Sequence, residues 1–291
     1  MKTFRMIGTV LVAVLMCVNF ASCSKDDDEE LSSGGEIDVV VNIPTNTIRY
    51  QTVNGLVVNL RNEDAFGGLE IVSNTYSDGY GTIEFASDVT EIGESAFFGN
   101  ETLSSITIPS GVASIGNDAF QGCKSLKSVT ISYGLVSIGN DAFLYCSSLE
   151  SIKIPSSVKR VGRRVFDYCS NLAKVELNCE TIGSWFQTGV GNLKEVILGN
   201  NVKVIEEYAF YGCSGLTSIT IPESVTSIGY YAFYGCGLTS IYVKSSTPAK
   251  ITDGMGVSLG CRGATLYVPK GSLEAYRAAD GWNEFEDIRE Y

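Results

Sequence analysis

Histidine is missing from all 291 residues. With it go the usual general base, the commonest zinc ligand, and every Ser-His or Cys-His pairing of nucleophilic catalysis. Basic residues are few: 21 lysines and arginines stand against 33 aspartates and glutamates, a net charge of −12. Such a field repels a phosphate backbone, which excludes nucleic acid as a partner. Past the first twenty residues no apolar run approaches the length that crosses a bilayer. No motif marks a carboxylate pair for acid–base work, so no catalytic residue is assigned, and neither an enzyme, a cofactor nor a metal site is expected. What the chain does have is material for a core. Hydrophobic residues make up 44% of it, enough for one large or two small domains.

The N-terminus is the exception to the lack of apolar runs. It reads MKTFRMIGTVLVAVLMCVNFASC: Lys2 and Arg5 head an apolar run over residues 6–18, and Ala21 and Ser22 precede Cys23. A charged head, a short apolar stretch and small residues at a cut site make a secretion signal over residues 1–22. The FASC segment resembles the lipobox of bacterial lipoproteins, with Phe20 where leucine is commonest. That resemblance implies that Cys23 is acylated and serves as the lipid attachment point. The following SKDDDEE resembles the acidic signal that carries lipoproteins of gut and oral anaerobes to the outer face of the outer membrane; its plainer reading is a solvated tether over residues 23–35. Cleavage after residue 22 removes two basic residues and no acid, which moves the charge from −12 to −14.

The rest of the chain repeats itself. IGESAFFGNETLSSITI from Ile92 returns as IGNDAFQGCKSLKSVTI from Ile115 and IGNDAFLYCSSLESIKI from Ile138. VGRRVFDYCSNLAKVEL, IGSWFQTGVGNLKEVIL, IEEYAFYGCSGLTSITI and IGYYAFYGCGLTSIYV follow from positions 161, 182, 205 and 228. A fixed period of 23 residues, broken once by 21, is the signature of a solenoid. Within each unit a short alternating strand follows the leucine, with every second residue turned inward. One coil cannot repay the entropy of ordering its own backbone, so coils must stack, strands must pair in parallel, and both open ends need covers. The fifth unit brings Phe186 one residue early, behind Trp185, and has Gly189 near the cysteine position; a kink is expected over residues 179–192. The seventh unit lacks one residue between Cys236 and Leu238.

The pattern AFxGCxxLxSIxIPxxVxxIG resembles the BspA-type leucine-rich repeat of bacterial surface lipoproteins. The expected fold class is α/β, mostly β: a leucine-rich-repeat solenoid with one short parallel strand and a short helical turn per coil, capped at both ends. The expected parts are an N-terminal cap over residues 36–82, seven coils over 83–244, and a C-terminal cap of strand plus helix over 245–291. In that cap Ser272 is expected to cap a helix running to about Ala279, with Trp282 and Phe285 closing the last coil. The resemblance implies a lipid-anchored protein of the outer membrane and cell surface that mediates binding or adhesion to a host or bacterial surface protein. A carbohydrate-capture accessory lipoprotein, with a glycan as ligand, is the alternative.

Cys123, Cys146, Cys169, Cys213 and Cys236 each stand three residues after the phenylalanine, where the first coil has Asn100. A position that accepts cysteine or asparagine at one phase is a packing and backbone-bonding position, so buried free thiols are the main reading. Vertical disulfides and a metal are the lesser alternatives. Cys179 and Cys261 lie outside that ladder and are the better candidates for a bridge or a reactive thiol. The outward strand positions, from Ser105 and Thr107 to Ser240 and Tyr242, read as a hydroxyl-rich solvated face. The candidate binding patch is Tyr208, Tyr211, Tyr230, Tyr231 and Tyr234, at phases where earlier coils carry Asp118, Gln121, Asp141 and Arg164. Positions that are polar in several coils point outward, and tyrosine brings contact area with little entropy to lose. A secondary patch is Lys159, Arg160, Arg163 and Arg164, for which pairing with Asp141 and Asp167 is the plain alternative. The GMGVSLG stretch over residues 254–260 reads as a turn.

Overall fold

The computed structural model describes residues 43–252, 261 and 263–291. The secretion signal, Cys23, the tether and the GMGVSLG turn lie outside the described residues.

The repeats build a β-solenoid. Its main sheet stacks Leu103–Ile108, Ser128–Ile131, Ser151–Ile154, Lys174–Leu177 and Glu195–Leu198 in sequence order. Pairing is parallel and in phase, Ser105 opposite Ser128 and Lys174 opposite both Ser151 and Glu195. In-phase pairing follows from the period, since equivalent residues of successive coils are isoleucines, valines and leucines that must all point inward. A second ladder of two-residue strands runs behind it, from Glu91–Ile92 through Ser114–Ile115 and Ser137–Ile138 to Arg160–Val161. Between the two ladders runs a column of phenylalanine rings, Phe97, Phe120, Phe143, Phe166, Phe186, Phe210 and Phe233, whose centroids stand 5.1 to 5.8 Å apart.

The third side of each coil is a run of turns, and here the structure departs from the expected helical turn. Ser95, Asp118, Asp141, Arg164, Tyr208 and Tyr231 all have φ between 53° and 58°. A left-handed residue interrupts any helix. The turn amides therefore bond across coils: Phe97 donates to the Ala119 carbonyl at 2.8 Å, Phe120 to Ala142 at 2.8 Å and Phe143 to Val165 at 3.1 Å.

The fifth coil is faulted on both sides. Toward the fourth coil the short-strand ladder is cut, and a new one starts with Thr181–Ile182, Val204–Ile205, Ser227–Ile228 and Lys250–Ile251. Toward the sixth coil the main sheet is cut, and a separate sheet begins at Ser218–Ile221. Among the described residues no backbone hydrogen bond joins the turn over 183–191 to the turn over 206–212. The cause is Trp185, a buried indole at the phase where Ala96, Ala119, Ala142, Val165, Ala209 and Ala232 stand elsewhere. A small residue leaves room for the turn amides and carbonyls to pair, and an indole at that phase takes it, while the phenylalanine column runs on at 5.7 Å from Phe186 to Phe210.

Seven coils become eight turns. Thr265–Val268 pairs in parallel with Ser240–Val243, and Ala264 donates to the Cys261 carbonyl at 3.0 Å, as Leu126 does to Cys123 and Leu149 to Cys146. Cys261 thus occupies the ladder position of an eighth turn, which corrects its placement outside the ladder. Its coil lacks the alanine–phenylalanine pair that identifies the others, although Ile251 keeps the period, 23 residues after Ile228, and pairs with it.

Both ends are covered. At the N-terminal end β1 (Thr47–Thr52), β2 (Ile71–Ser77) and β3 (Tyr80–Phe85) form an antiparallel meander. β1 also pairs antiparallel with Leu103–Ile108, Arg49 opposite Thr107. β3 spans the expected cap boundary at residues 82 and 83 and belongs wholly to this meander. At the other end α1 (Leu273–Ala278) leads through buried Trp282 to the strand Asp287–Glu290, which pairs with Thr265–Val268. Trp282 Nε1 donates to the Ala249 carbonyl at 2.8 Å, and the Tyr276 hydroxyl to that of Ser245 at 2.9 Å. Ser272 does not cap the helix. Its hydroxyl donates to the Pro269 carbonyl, while the Glu290 carboxylate accepts from the Gly271 amide at 2.8 Å.

Candidate binding surface

The cysteines belong to the core. The thiols of Cys123, Cys146, Cys169 and Cys236 donate to the carbonyls of Phe97, Phe120, Phe143 and Phe210 at 3.1 to 3.2 Å. All seven described cysteines are free. Burial pushes the Cys123 thiol up to about 12 and raises Cys146 and Cys169 as well. A hydrogen bond with Cys236, followed by burial, raises Cys213. Cys179 and Cys261, expected as a bridge or reactive thiol, are buried and unbridged, each pushed up to about 12 by desolvation. A thiol so far above its ordinary range holds almost no thiolate at neutral pH, and the thiolate is the reactive species.

The turn side is where large side chains reach solvent. Tyr208 and Tyr231 sit at the left-handed position of the sixth and seventh turns and are half-buried. Tyr211 and Tyr234, three residues on, stack at 5.6 Å and are 38% and 44% exposed. Tyr208 meets Tyr211 at 5.7 Å and 68°, and Tyr230 at 6.3 Å and 82°; Tyr231 meets Tyr234 at 4.8 Å and 64°. The structure therefore brings all five tyrosines into one cluster. A hydrogen bond with Tyr231 pushes the Tyr230 hydroxyl up to about 12.

The basic patch is the same face two coils earlier. Lys159, Arg160, Arg163 and Arg164 are all exposed. Arg164 is held by Asp141 at 2.9 Å, which is the plain alternative realised for that one residue. Asp167 is buried instead, and its Oδ1 accepts from the Gln187 and Thr188 amides at 2.8 and 3.2 Å. It pins the irregular fifth turn to the fourth. On the strand face, Lys174 pairs with Glu176 at 3.4 Å and Glu195 at 3.5 Å, so its charges are largely spent on one another.

Two exposed residues escaped sequence reasoning. Tyr145 and Tyr168 stack at 4.6 Å with 48% and 42% of their surface exposed. Their φ values are 61° and 58°, at the phase where Gly99, Gly122, Gly189, Gly212 and Gly235 carry φ of 68° to 76°. A tyrosine in a column of left-handed glycines was the available clue. Holding it there costs of order 1–2 kcal/mol per residue, partly returned by the stacking.

A family profile described as the BspA type leucine rich repeat region matches the chain in six copies, over residues 71–188 and 180–255. The chain belongs to this family. Solved structures of similar proteins include a leucine rich cell surface protein of Faecalibacterium prausnitzii, at 27% identity, 75% coverage of this chain, 64% of that one, and a TM-score of 0.49. A leucine rich repeat protein of T. pallidum is 30% identical over 62% of this BspA-type chain and 73% of its own, with a TM-score of 0.42. One from Bacteroides ovatus is 24% identical over 83% and 70%, with a TM-score of 0.45. The chain spans just under two thirds of the F. prausnitzii protein's length. No curated protein matches it. Among the described residues, no helix of this BspA-type repeat protein is long and apolar enough to cross a membrane.

Proposed function

We propose that this BspA-type protein is a lipid-anchored binding or adhesion protein of the outer membrane surface, and that it engages a surface protein through the turn side of its sixth and seventh coils. The observation that carries the reading is the cluster of five tyrosines, contiguous across two coils and partly exposed, whose ring contacts among the described residues are with one another. Aromatic rings exposed together are costly to leave in water and are the side chains that dominate protein contacts. A stacked solenoid suits such a role, since it offers a long rigid surface and keeps its chemistry outside the core.

The carbohydrate alternative fits this cluster less well. A sugar ring docks flat on a free aromatic face. Here the rings meet edge to face at 64° to 82°, tilt against each other at 40° and 47°, or stack at 10°, so each covers part of its neighbours' faces. We assign no catalytic residue and no cofactor.

Two experiments test the reading. Tyr211→Ser with Tyr234→Ser should weaken capture of surface-protein partners by about 2 kcal/mol, near thirtyfold, with little change in stability. Unfolding of that variant, or undiminished capture, overturns the patch. Cys23→Ala should release the folded protein from the membrane fraction; normal anchoring of that variant overturns the lipoprotein reading.

A further inference from the structure

Arg163 and Arg164 of the basic patch share the turn phases of the tyrosine cluster, Arg160 stands on the short strand that leads into that turn, and the charge of these arginines complements Glu206 and Glu207. Arg163 stands in the fourth coil where Glu207 stands in the sixth and Tyr230 in the seventh; Arg164 stands where Tyr208 and Tyr231 stand. Neighbouring coils lie about 4.8 Å apart, so the fourth-coil arginines and the sixth-coil glutamates stand about 10 Å apart, and the tyrosine cluster is centred about 12 Å from the arginines. Arg160 and Arg163 are exposed and take part in no ion pair among the described residues, and the same is true of Glu206 and Glu207, which lead into Tyr208. Nearby charges elsewhere are matched within the chain: Lys203 holds Glu180 at 3.1 Å and Lys124 holds Glu101 at 2.7 Å. The tyrosine rings likewise lack a cation of their own. The cation–π contacts among the described residues are Arg49 over Tyr80 and Arg61 over Phe98, both involving the N-terminal cap.

From this we infer that the partner of the tyrosine face is a second copy of the same chain. Fourth-coil arginines of one copy lie over the glutamates and tyrosine rings of the other, where a guanidinium gains both a carboxylate and an aromatic face. Matching coil four to coil six in both directions requires a two-fold axis through the fifth coil, with the solenoids antiparallel. That arrangement is isologous and closes as a dimer. The inference rests on the proposed surface role and supplies its partner: like cells would adhere through like proteins, each contact weak and multiplied by the number of anchored copies.

The test is a charge swap on the chain from Ser24 onward, followed by sedimentation velocity over a concentration series. The unaltered chain should dimerise with rising concentration, and less so at about 0.5 M salt, where charges separated by more than a few ångströms are screened. Arg160→Glu with Arg163→Glu should leave a monomer, and so should Glu206→Arg with Glu207→Arg, each with an unchanged thermal midpoint because the four side chains are exposed. Mixing the two variants should restore the dimer, since both contacts are then attractive again. A monomer at every concentration overturns the inference, as do variants that dimerise like the unaltered chain. If the unaltered chain is monomeric while Tyr211→Ser with Tyr234→Ser still loses another surface partner, the dimer falls and the proposed binding role stands.

Discussion

Replacing Cys146 by serine isolates what the thiol column does. The Cys146 side chain is wholly buried, lies between Cys123 and Cys169, and donates to the Phe120 carbonyl at 3.1 Å. That carbonyl also accepts from the Cys123 amide at 3.1 Å, so it keeps a partner whatever stands at position 146. The C–O bond is shorter than the C–S bond, and a serine hydroxyl in the same rotamer stops short of good hydrogen-bonding distance. The variant therefore buries a polar group with a poor partner, which costs about 1–3 kcal/mol. Cys146→Ala removes the sulfur without adding a polar group and should cost nearer 1 kcal/mol. In a protein of this size 1 kcal/mol moves the thermal midpoint by about 2–4 °C. Urea and thermal unfolding of the two variants beside the unaltered chain measure the difference, and self-association at low protein concentration should be untouched. If serine proves as stable as cysteine while alanine is the worse of the two, the hydrogen bond governs this position and the packing argument fails.

Three further outcomes follow from the same contacts. In native-state hydrogen exchange the amides of Phe186 and Gly189, which lack a carbonyl across the Trp185 wedge, should exchange well ahead of Phe166 and Tyr168, which donate to Trp185 and Thr188 at 3.1 and 2.7 Å; equal protection would place the fault elsewhere. Burial, the largest cause, raises the Asp167 carboxyl above its ordinary 3.8 even though the Gln187 and Thr188 amides pull it down. The folded form thus keeps this proton longer than the unfolded form, so stability should decline as pH rises from 3.8 through the raised value and level off above it. Asp167→Asn should remove that component from the stability–pH curve, and an unaltered curve would show that the carboxyl titrates as if exposed. Finally, a soluble thiol reagent should leave Cys179 and Cys261 unmodified in the folded chain without Cys23 and modify them in urea; rapid native labelling of either would show a thiol open to solvent.

The strand positions, the phenylalanine column and the packing role of five cysteines were legible because each recurs at one phase of a 23-residue period, and a phase that is apolar in every coil can only face inward. The eighth turn was missed because its coil lacks the alanine–phenylalanine pair, although Ile251 stands 23 residues after Ile228 and its short strand continues the ladder. The exposure of Tyr145 and Tyr168 was not legible, since a tyrosine after leucine or aspartate looks ordinary until its φ is known. Cys179 and Cys261 looked reactive only because the period did not account for them.

Repetition alone determined that the chain forms a solenoid, because a hydrophobic pattern with a fixed period has one way to bury every copy at once. It could not determine how the coils are joined. The period marks residue 182 as early, but only the tertiary structure shows which backbone ladders break, the short-strand ladder toward the fourth coil and the main sheet toward the sixth. The pairing of surfaces is likewise a property of three dimensions. Arg163 and Glu207 are 44 residues apart in the chain, and their common face exists because two turns of the solenoid bring the same phase back to the same side.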